Sequence, residues 1–254
     1  MTTHSKPEVA LFVTCLVDSM RPSIGFAATA LLEAAGFAVE VPTAQTCCGQ
    51  PAWNAGDEQD ARALGRRMLE IFAPFEAVVA PSGSCAGMVR KHYPELFAGQ
   101  PEEEAAIALA GKTFELCEFL HARGGRPLLK SWDRGVLVYH DSCASLREIA
   151  APEAPRALLG QIPGMELAEM ADPQACCGFG GLFSIKLPEI SGHMVAARTA
   201  DIAATGAQVL AGPDMGCLLN IAGRLRREGR KVRVYHIAEV LAGMMGDGLG
   251  EAGS

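Results

Sequence analysis

QTCCGQP at residues 45–51 is echoed by QACCGFG at residues 174–180. Two adjacent cysteines followed by glycine are uncommon once in a chain, and other cysteines fall into register around both triplets. Cys15 lies 32 positions before Cys47, and Cys85 lies 37 after Cys48. Cys143 lies 33 before Cys176, and Cys217 lies 40 after Cys177. Matching cysteines are thus offset by 128, 129 and 132 residues, a drift small enough to mean internal duplication. The duplication predicts two halves, residues 1–124 and 135–254, with a linker over about 125–134. Cys117 has no counterpart: the equivalent position is Ala238, so Cys117 is read as a small buried apolar residue.

The flanks repeat as well. EVALFVT leads into Cys15 as GVLVYHDS leads into Cys143, and EAVVAPSGS precedes Cys85 as AQVLAGPDMG precedes Cys217. Each is a short valine-rich apolar run bounded by turn residues, the pattern of a buried strand. FAVEV after Gly36 is a further strand. Helical stretches between them carry their own punctuation. Pro22 opens one that Gly36 stops, Asp57 caps EQDARALGRRMLEIF, and Pro188 and Gly206 bracket the long helix of the second half. Each half reads strand–helix–strand–loop–helix–strand–helix. This alternation predicts an α/β fold of two duplicated, Rossmann-like parallel-sheet halves. Ligands of open parallel sheets gather beyond the carboxyl ends of the strands. Three segments of each half therefore deliver cysteines to one edge, making one site per half.

Of the 254 residues, 49% are apolar, ample for buried cores, yet no run approaches the ~20 apolar residues of a membrane span. The apolar stretch 9–17 is short, lacks a basic leader and runs into Asp18, so a cytoplasmic location is expected. The net charge of −7 argues against nucleic acid as a partner. RLRREGRKVR at 224–233 is a local basic exception, read as a solvated helix face running into a strand. Nine cysteines in a reducing compartment point to metal or redox chemistry rather than disulfides.

Thiolates suit zinc, copper(I) and iron–sulfur clusters. Structural zinc is usually gripped by C-x(2–4)-C pairs, and neither half contains C-x-x-C. Vicinal cysteines reach one small ion awkwardly, because the peptide between them is planar and stiff. They serve different atoms of an extended cluster more easily. The reading is an iron–sulfur cluster in each half, with zinc second and a vicinal disulfide third. The ligand sets are Cys15, Cys47, Cys48 and Cys85, then Cys143, Cys176, Cys177 and Cys217. Gly49 and Gly178 let backbone approach the cofactor, with N–H groups able to donate to its sulfurs. His140, followed by Asp141, is a further cofactor-binding residue, as hydrogen-bond donor to a cluster sulfur or as proton relay. Arg147 is set between a carboxylate contact and a surface ion pair. His92, His121, His193 and His236 lack a ligand pattern. No G-x-G-x-x-G follows the first strand, so a nicotinamide or flavin cofactor is not supported.

FVTCLVDSMRP, QTCCGQPAWNAG, VVAPSGSC, YHDSCASLRE, CCGFGGLFSIKLPEIS, DMGCLLNIAGRL and HIAEVLAG follow one another along nearly the whole chain. This C…CCG…C arrangement, present twice, resembles the cysteine-rich CCG domain of heterodisulfide reductase B subunits and glycolate oxidase iron–sulfur subunits. It is most similar to the lactate-utilisation protein A family. That resemblance implies a cytoplasmic iron–sulfur electron-transfer subunit of a multi-protein complex oxidising L-lactate to pyruvate. Its partners would be the other iron–sulfur subunits and L-lactate. The sequence departs from heterodisulfide reductase B subunits, whose motif ends in C-x-x-C: Met88 and Asn220 stand at that last position. This counts against their five-thiolate cluster and heterodisulfide substrate. Four thiolates per half suit 4Fe-4S clusters, up to two, or a cluster with an exchangeable site. The alternatives are zinc in one or both sites, on a non-enzymatic scaffold subunit, or thiol chemistry like that of heterodisulfide reductase.

Overall fold

The computed structural model describes residues 6–251. The chain divides after Arg126 into two compact units, each an α/β domain around one four-stranded parallel sheet. This is the duplicated parallel architecture that the cysteine spacing predicts.

The first unit begins with β1 (Glu8–Leu11), α1 (Cys15–Met20), α2 (Ser23–Ala34), β2 (Ala38–Glu40), α3 (Gln50–Asn54) and α4 (Glu58–Phe72). It continues through β3 (Val78–Ala80), α5 (Gly83–Gly87), a π-helical turn (Met88–His92), α6 (Tyr93–Leu96), α7 (Glu103–Gly111), β4 (Thr113–Glu115) and α8 (Leu116–Ala122). The strand order is β2-β1-β3-β4, every pair parallel. Val9, Ala10, Leu11, Val78, Val79 and Ala80 are all buried, as expected where helices cover both faces of a sheet. Local chemistry sets the helix limits. The Asp57 carboxylate accepts the Asp60 N–H at 3.1 Å, capping α4, and Gly36 takes φ +99° just past the end of α2.

The second unit contains β5 (Val136–Tyr139), a π-helical turn (Ser145–Ile149), α9 (Glu153–Leu159), β6 (Glu166–Ala168), α10 (Phe183–Lys186), α11 (Pro188–Ala204), β7 (Val209–Gly212), α12 (Met215–Arg227), β8 (Arg233–His236) and α13 (Ile237–Ala242). Its order is β6-β5-β7-β8, again all parallel. Leu128 and Leu129 donate to the Leu241 carbonyl and Trp132 to that of Pro163. The stretch expected to link the halves is thereby tied to the second unit.

One strand per half was not separated from its helix in the sequence pattern. Three residues, Thr113–Glu115, make β4, and HIAEVLAG begins at the last residue of β8. A three-residue strand shows barely one alternation, so periodicity cannot reveal it. Its pairing with β3, through Val78–Thr113 and Ala80–Glu115, is what defines it. The segment 224–233 is a helix end leading to β8, with Arg224 and Arg230 both on Glu228 at 2.5 and 2.6 Å.

Candidate metal centre

In the first unit β1 and β3 are neighbours, while β2 and β4 lie on opposite sides of them. The chain thus turns outward in opposite directions after β1 and β3, leaving a crevice at their carboxyl ends. Cys15 opens α1 just past β1, and Cys85 sits in α5 just past β3. Thr14 precedes Cys15 with φ +57°, an uncommon conformation for a β-branched residue that sets the direction of the following turn. The Ser82 hydroxyl accepts the Cys85 N–H at 3.2 Å and so caps α5. The loop after β2 supplies the vicinal pair. Gln45 anchors it to β1, accepting the Val13 N–H at 2.7 Å and donating to the carbonyls of Pro42 at 2.9 Å and Leu11 at 3.3 Å. The result is a hydrogen-bonded series of thiols, Cys15–Cys47–Cys48–Cys85.

The second unit repeats it. Cys143 follows β5, Cys217 lies in α12 after β7, and the thiols run Cys143–Cys176–Cys177–Cys217. Here a buried arginine from α11 holds the loop: Arg198 donates to the Asp172 carbonyl at 2.8 Å and to the Ala175 carbonyl. Cys117 belongs to neither series and is buried in α8, where burial pushes its thiol pKa up.

Each vicinal pair is followed by a glycine in the left-handed region, Gly49 at φ +84° and Gly178 at φ +78°. A Cβ on Gly178 would lie 2.8 Å from the Ser191 carbonyl oxygen and 3.0 Å from Met194 Cβ; on Gly49 it would lie 3.3 Å from the Ala61 carbonyl oxygen. The missing side chains therefore make room for α11 and α4. The amides do face sulfur: Gly49 N–H donates to Cys47 Sγ at 3.5 Å, Gly178 to Cys176 at 3.4 Å and Phe179 to Cys177 at 3.5 Å. The preceding carbonyls are tied from behind. Tyr93 donates to the Cys48 carbonyl at 2.9 Å, and Asn220 to the Cys177 carbonyl at 2.8 Å. Asn220, at one of the two fifth-cysteine positions, thus positions the loop. Met88, at the other, is wholly buried.

Four clustered sulfurs cannot all ionise without a cation. Hydrogen bonds from Cys15 and Cys48 hold Cys47 down to about 3, and those from Cys143 and Cys177 hold Cys176 at about 2. Their partners move the other way. Cys15 and Cys48 are raised chiefly by the bond to Cys47, and Cys143 and Cys177 by the bond to Cys176, with burial adding to each. Such converging thiols are a metal- or cluster-binding arrangement, in which the bound cation replaces the remaining protons. Cys47 and Cys176 are half-buried, whereas Cys48, Cys117 and Cys177 are buried. Iodoacetamide treatment of the reduced, metal-free chain is accordingly expected to modify Cys47 and Cys176 well before those three. Peptide mass spectrometry reads the order, and equally fast labelling of Cys48 and Cys47 would contradict it.

The first series opens on a cleft of about 420 Å³ lined by Thr14, Cys15, Asp18, Gln45 and Cys47 among others. In the second unit His140 directly follows β5 and is 1% exposed, with ring nitrogens that have no hydrogen-bond partner among the described residues. Burial first, then the nearby Arg198 charge, lower its pKa to about 3, so the ring is neutral. A ring nitrogen, Cys177 Sγ and Cys217 Sγ lie within 4.8 Å of one another. The neighbouring Asp141 is equally hidden and takes a bidentate bond from Arg156 at 2.7 and 3.0 Å. Arg147 is exposed. His236 caps α13, its Nδ1 accepting the Ala238 N–H at 3.1 Å. Sequence reasoning missed Arg198, Gln45 and Tyr93. For Gln45 a signal existed, since glutamine begins both quoted heptads. Arg198 had none, because one arginine in a helix ordinarily reads as solvated.

The family model for the cysteine-rich CCG domain matches residues 9–90 and 137–222. Fold and thiol series together therefore define a duplicated CCG-domain protein. The chain is 45% identical over 235 residues to Lactate utilization protein A of Oceanobacillus iheyensis, covering 92% of this chain and 96% of that protein. It is 46% identical over 239 residues to Lactate utilization protein A of Shouchella clausii, covering 92% and 98%. The chain belongs to the lactate utilization protein A family. Among solved structures, a hypothetical protein from Helicobacter pylori matches 97% of this chain and 49% of its own, with a TM-score of 0.64 at 14% identity. That likeness is one of fold. Among the described residues, no helix is long and apolar enough to cross a membrane.

Proposed function

We propose that this chain is an iron–sulfur electron-transfer subunit of a multi-protein complex that oxidises L-lactate to pyruvate in the cytoplasm. The observation that carries the reading is the pair of matching four-thiol series, each at the crevice of its own sheet. Lactate use enters from the names of the relatives. Bound clusters would supply one-electron centres, one to each half. Cys15, Cys47, Cys48 and Cys85 would hold the first; Cys143, Cys176, Cys177 and Cys217 the second. The amides of Gly49, Gly178 and Phe179 would donate to ligand sulfurs and so stabilise the added negative charge of reduction.

Two features support a relay over a substrate site. Among the described residues, the charged groups lining the cleft beside Cys15 are the Asp18 carboxylate and the Cys47 thiolate, and both repel lactate. We therefore place lactate oxidation on a partner subunit. The loop after Cys176–Cys177 leads to Ile185, Leu187 and Ile190, which are 74%, 46% and 50% exposed and suit docking of such a partner. Phe179 and Phe183, on the way to that patch, are half-buried.

A zinc-binding scaffold is the second reading, favoured by the mixed nitrogen and sulfur donors at His140, Cys177 and Cys217. Anaerobic purification followed by iron, sulfide and zinc analysis separates the two. Iron and acid-labile sulfide in near-equal amounts, with broad visible charge-transfer absorption, are the expected result. Stoichiometric zinc without sulfide would replace the electron-transfer reading with the scaffold.

A further inference from the structure

The two halves place different residues behind the same thiols. His140 follows β5 where Phe12 follows β1, three positions before Cys143 and Cys15 respectively. Both donate their backbone N–H into the sheet, to the carbonyls of Ala211 and Val79, so the two positions are structurally equivalent. Phe12 is wholly buried and packs its ring on Phe72 at 5.7 Å. A second exchange accompanies this one. The missing Cβ of Gly49 faces the Ala61 carbonyl and that of Gly178 the Ser191 carbonyl, which aligns α4 with α11. Seven residues on, Met68 corresponds to Arg198, each fully buried. An apolar backing in the first half is a polar, cationic one in the second.

An imidazole buried where its homologue needs only a benzene ring calls for a partner. Both nitrogens of His140 lack a hydrogen-bond partner among the described residues, yet the side chain reaches two thiols, with the three ligand atoms within 4.8 Å of one another. Metal–sulfur bonds of about 2.3 Å and metal–nitrogen bonds of about 2.1 Å fit a cation among three such atoms. We propose that His140 is a nitrogen ligand of the second centre, which makes it a mixed nitrogen–sulfur site while the first is thiolate only. The inference rests on the reading that the thiol series bind metal, and it holds for iron or zinc alike. A neutral imidazole beside the four thiolates adds a ligand without adding negative charge, and the adjacent Arg198 favours added electrons. If both halves carry the same cluster, the second has the more positive potential.

The test uses the full chain reconstituted anaerobically with ferrous iron and sulfide and, separately, loaded with zinc alone. Anomalous diffraction at the metal edge then locates the metal atoms in each half. The expected result is a ring nitrogen of His140 within about 2.2 Å of a second-site metal atom. The variant His140→Phe, which copies the first half, is expected to lower second-site metal affinity by at least ~10-fold, since losing even a residue that only hydrogen-bonds a metal ligand costs about 10–100-fold. First-site occupancy should stay unchanged and serves as the control for folding. Metal held by the four sulfurs with the imidazole beyond 3 Å would overturn this inference alone. Diffraction with no metal at Cys143, Cys176, Cys177 and Cys217 would overturn the underlying reading, and this inference with it.

Discussion

Replacing Cys176 and Cys177 together with serine is expected to halve the iron and sulfide retained by the reconstituted chain and to abolish lactate-dependent reduction in the assembled complex. Cys176 is the thiolate on which the second series converges, and Cys177 joins it to Cys217. Removing both leaves Cys143 and Cys217 without the sulfurs between them. The fold should survive, because serine is nearly isosteric and the loop keeps its ties through Asn220 on the Cys177 carbonyl and Arg198 on the Asp172 carbonyl. Far-ultraviolet circular dichroism checks the fold, and metal analysis checks that only one site is empty. Undiminished lactate turnover with the second site verifiably empty would exclude an electron-transfer role for the second half. The matching replacement of Cys47 and Cys48 asks the same of the first.

The alanine variant of Gly178 is expected to be far more damaging than the matching change at Gly49. Left-handed backbone costs a side-chain-bearing residue about 1–2 kcal/mol. An added methyl 2.8 Å from a helix carbonyl forces a backbone shift, at about 1–3 kcal/mol more. The sum is about 2–5 kcal/mol for the second unit, by urea unfolding of the metal-free protein. Gly49→Ala should cost only about 1–2 kcal/mol, since its nearest new contact is 3.3 Å away. Equal losses at the two positions would mean that α11 does not press on this loop as described.

How much of the site could be read in advance differs residue by residue. Cys15, Cys47, Cys48 and Cys85 were grouped because a second quartet has nearly the same spacing, and spacing survives in sequence. The sequence singles out Gly49 and Gly178 for their amides, which face sulfur, but not for their absent Cβ atoms, which answer to a helix that begins ten residues later in the second half and nine in the first. Asp57 was legible because a cap acts on its own helix, three residues away. Tyr93 and Arg198 were not, because the groups they bind lie 45 and 26 residues distant in the chain.

What is local or periodic, then, was legible in the residues alone. Duplication shows in cysteine spacing, strands show in short buried apolar runs, and helix limits show in Asp57, Gly36 and Pro188. Each depends on residues close in the chain or repeated along it. What stands behind the thiols depended on the packed fold. The sheet order β2-β1-β3-β4 brings Cys15 and Cys85 to one crevice, and α11 swings Arg198 beneath the second vicinal pair. It also left His140 facing Cys177 and Cys217 where Phe12 packs on Phe72. Burial and the pairing of polar groups depend on which distant segments meet, and no local pattern encodes that meeting.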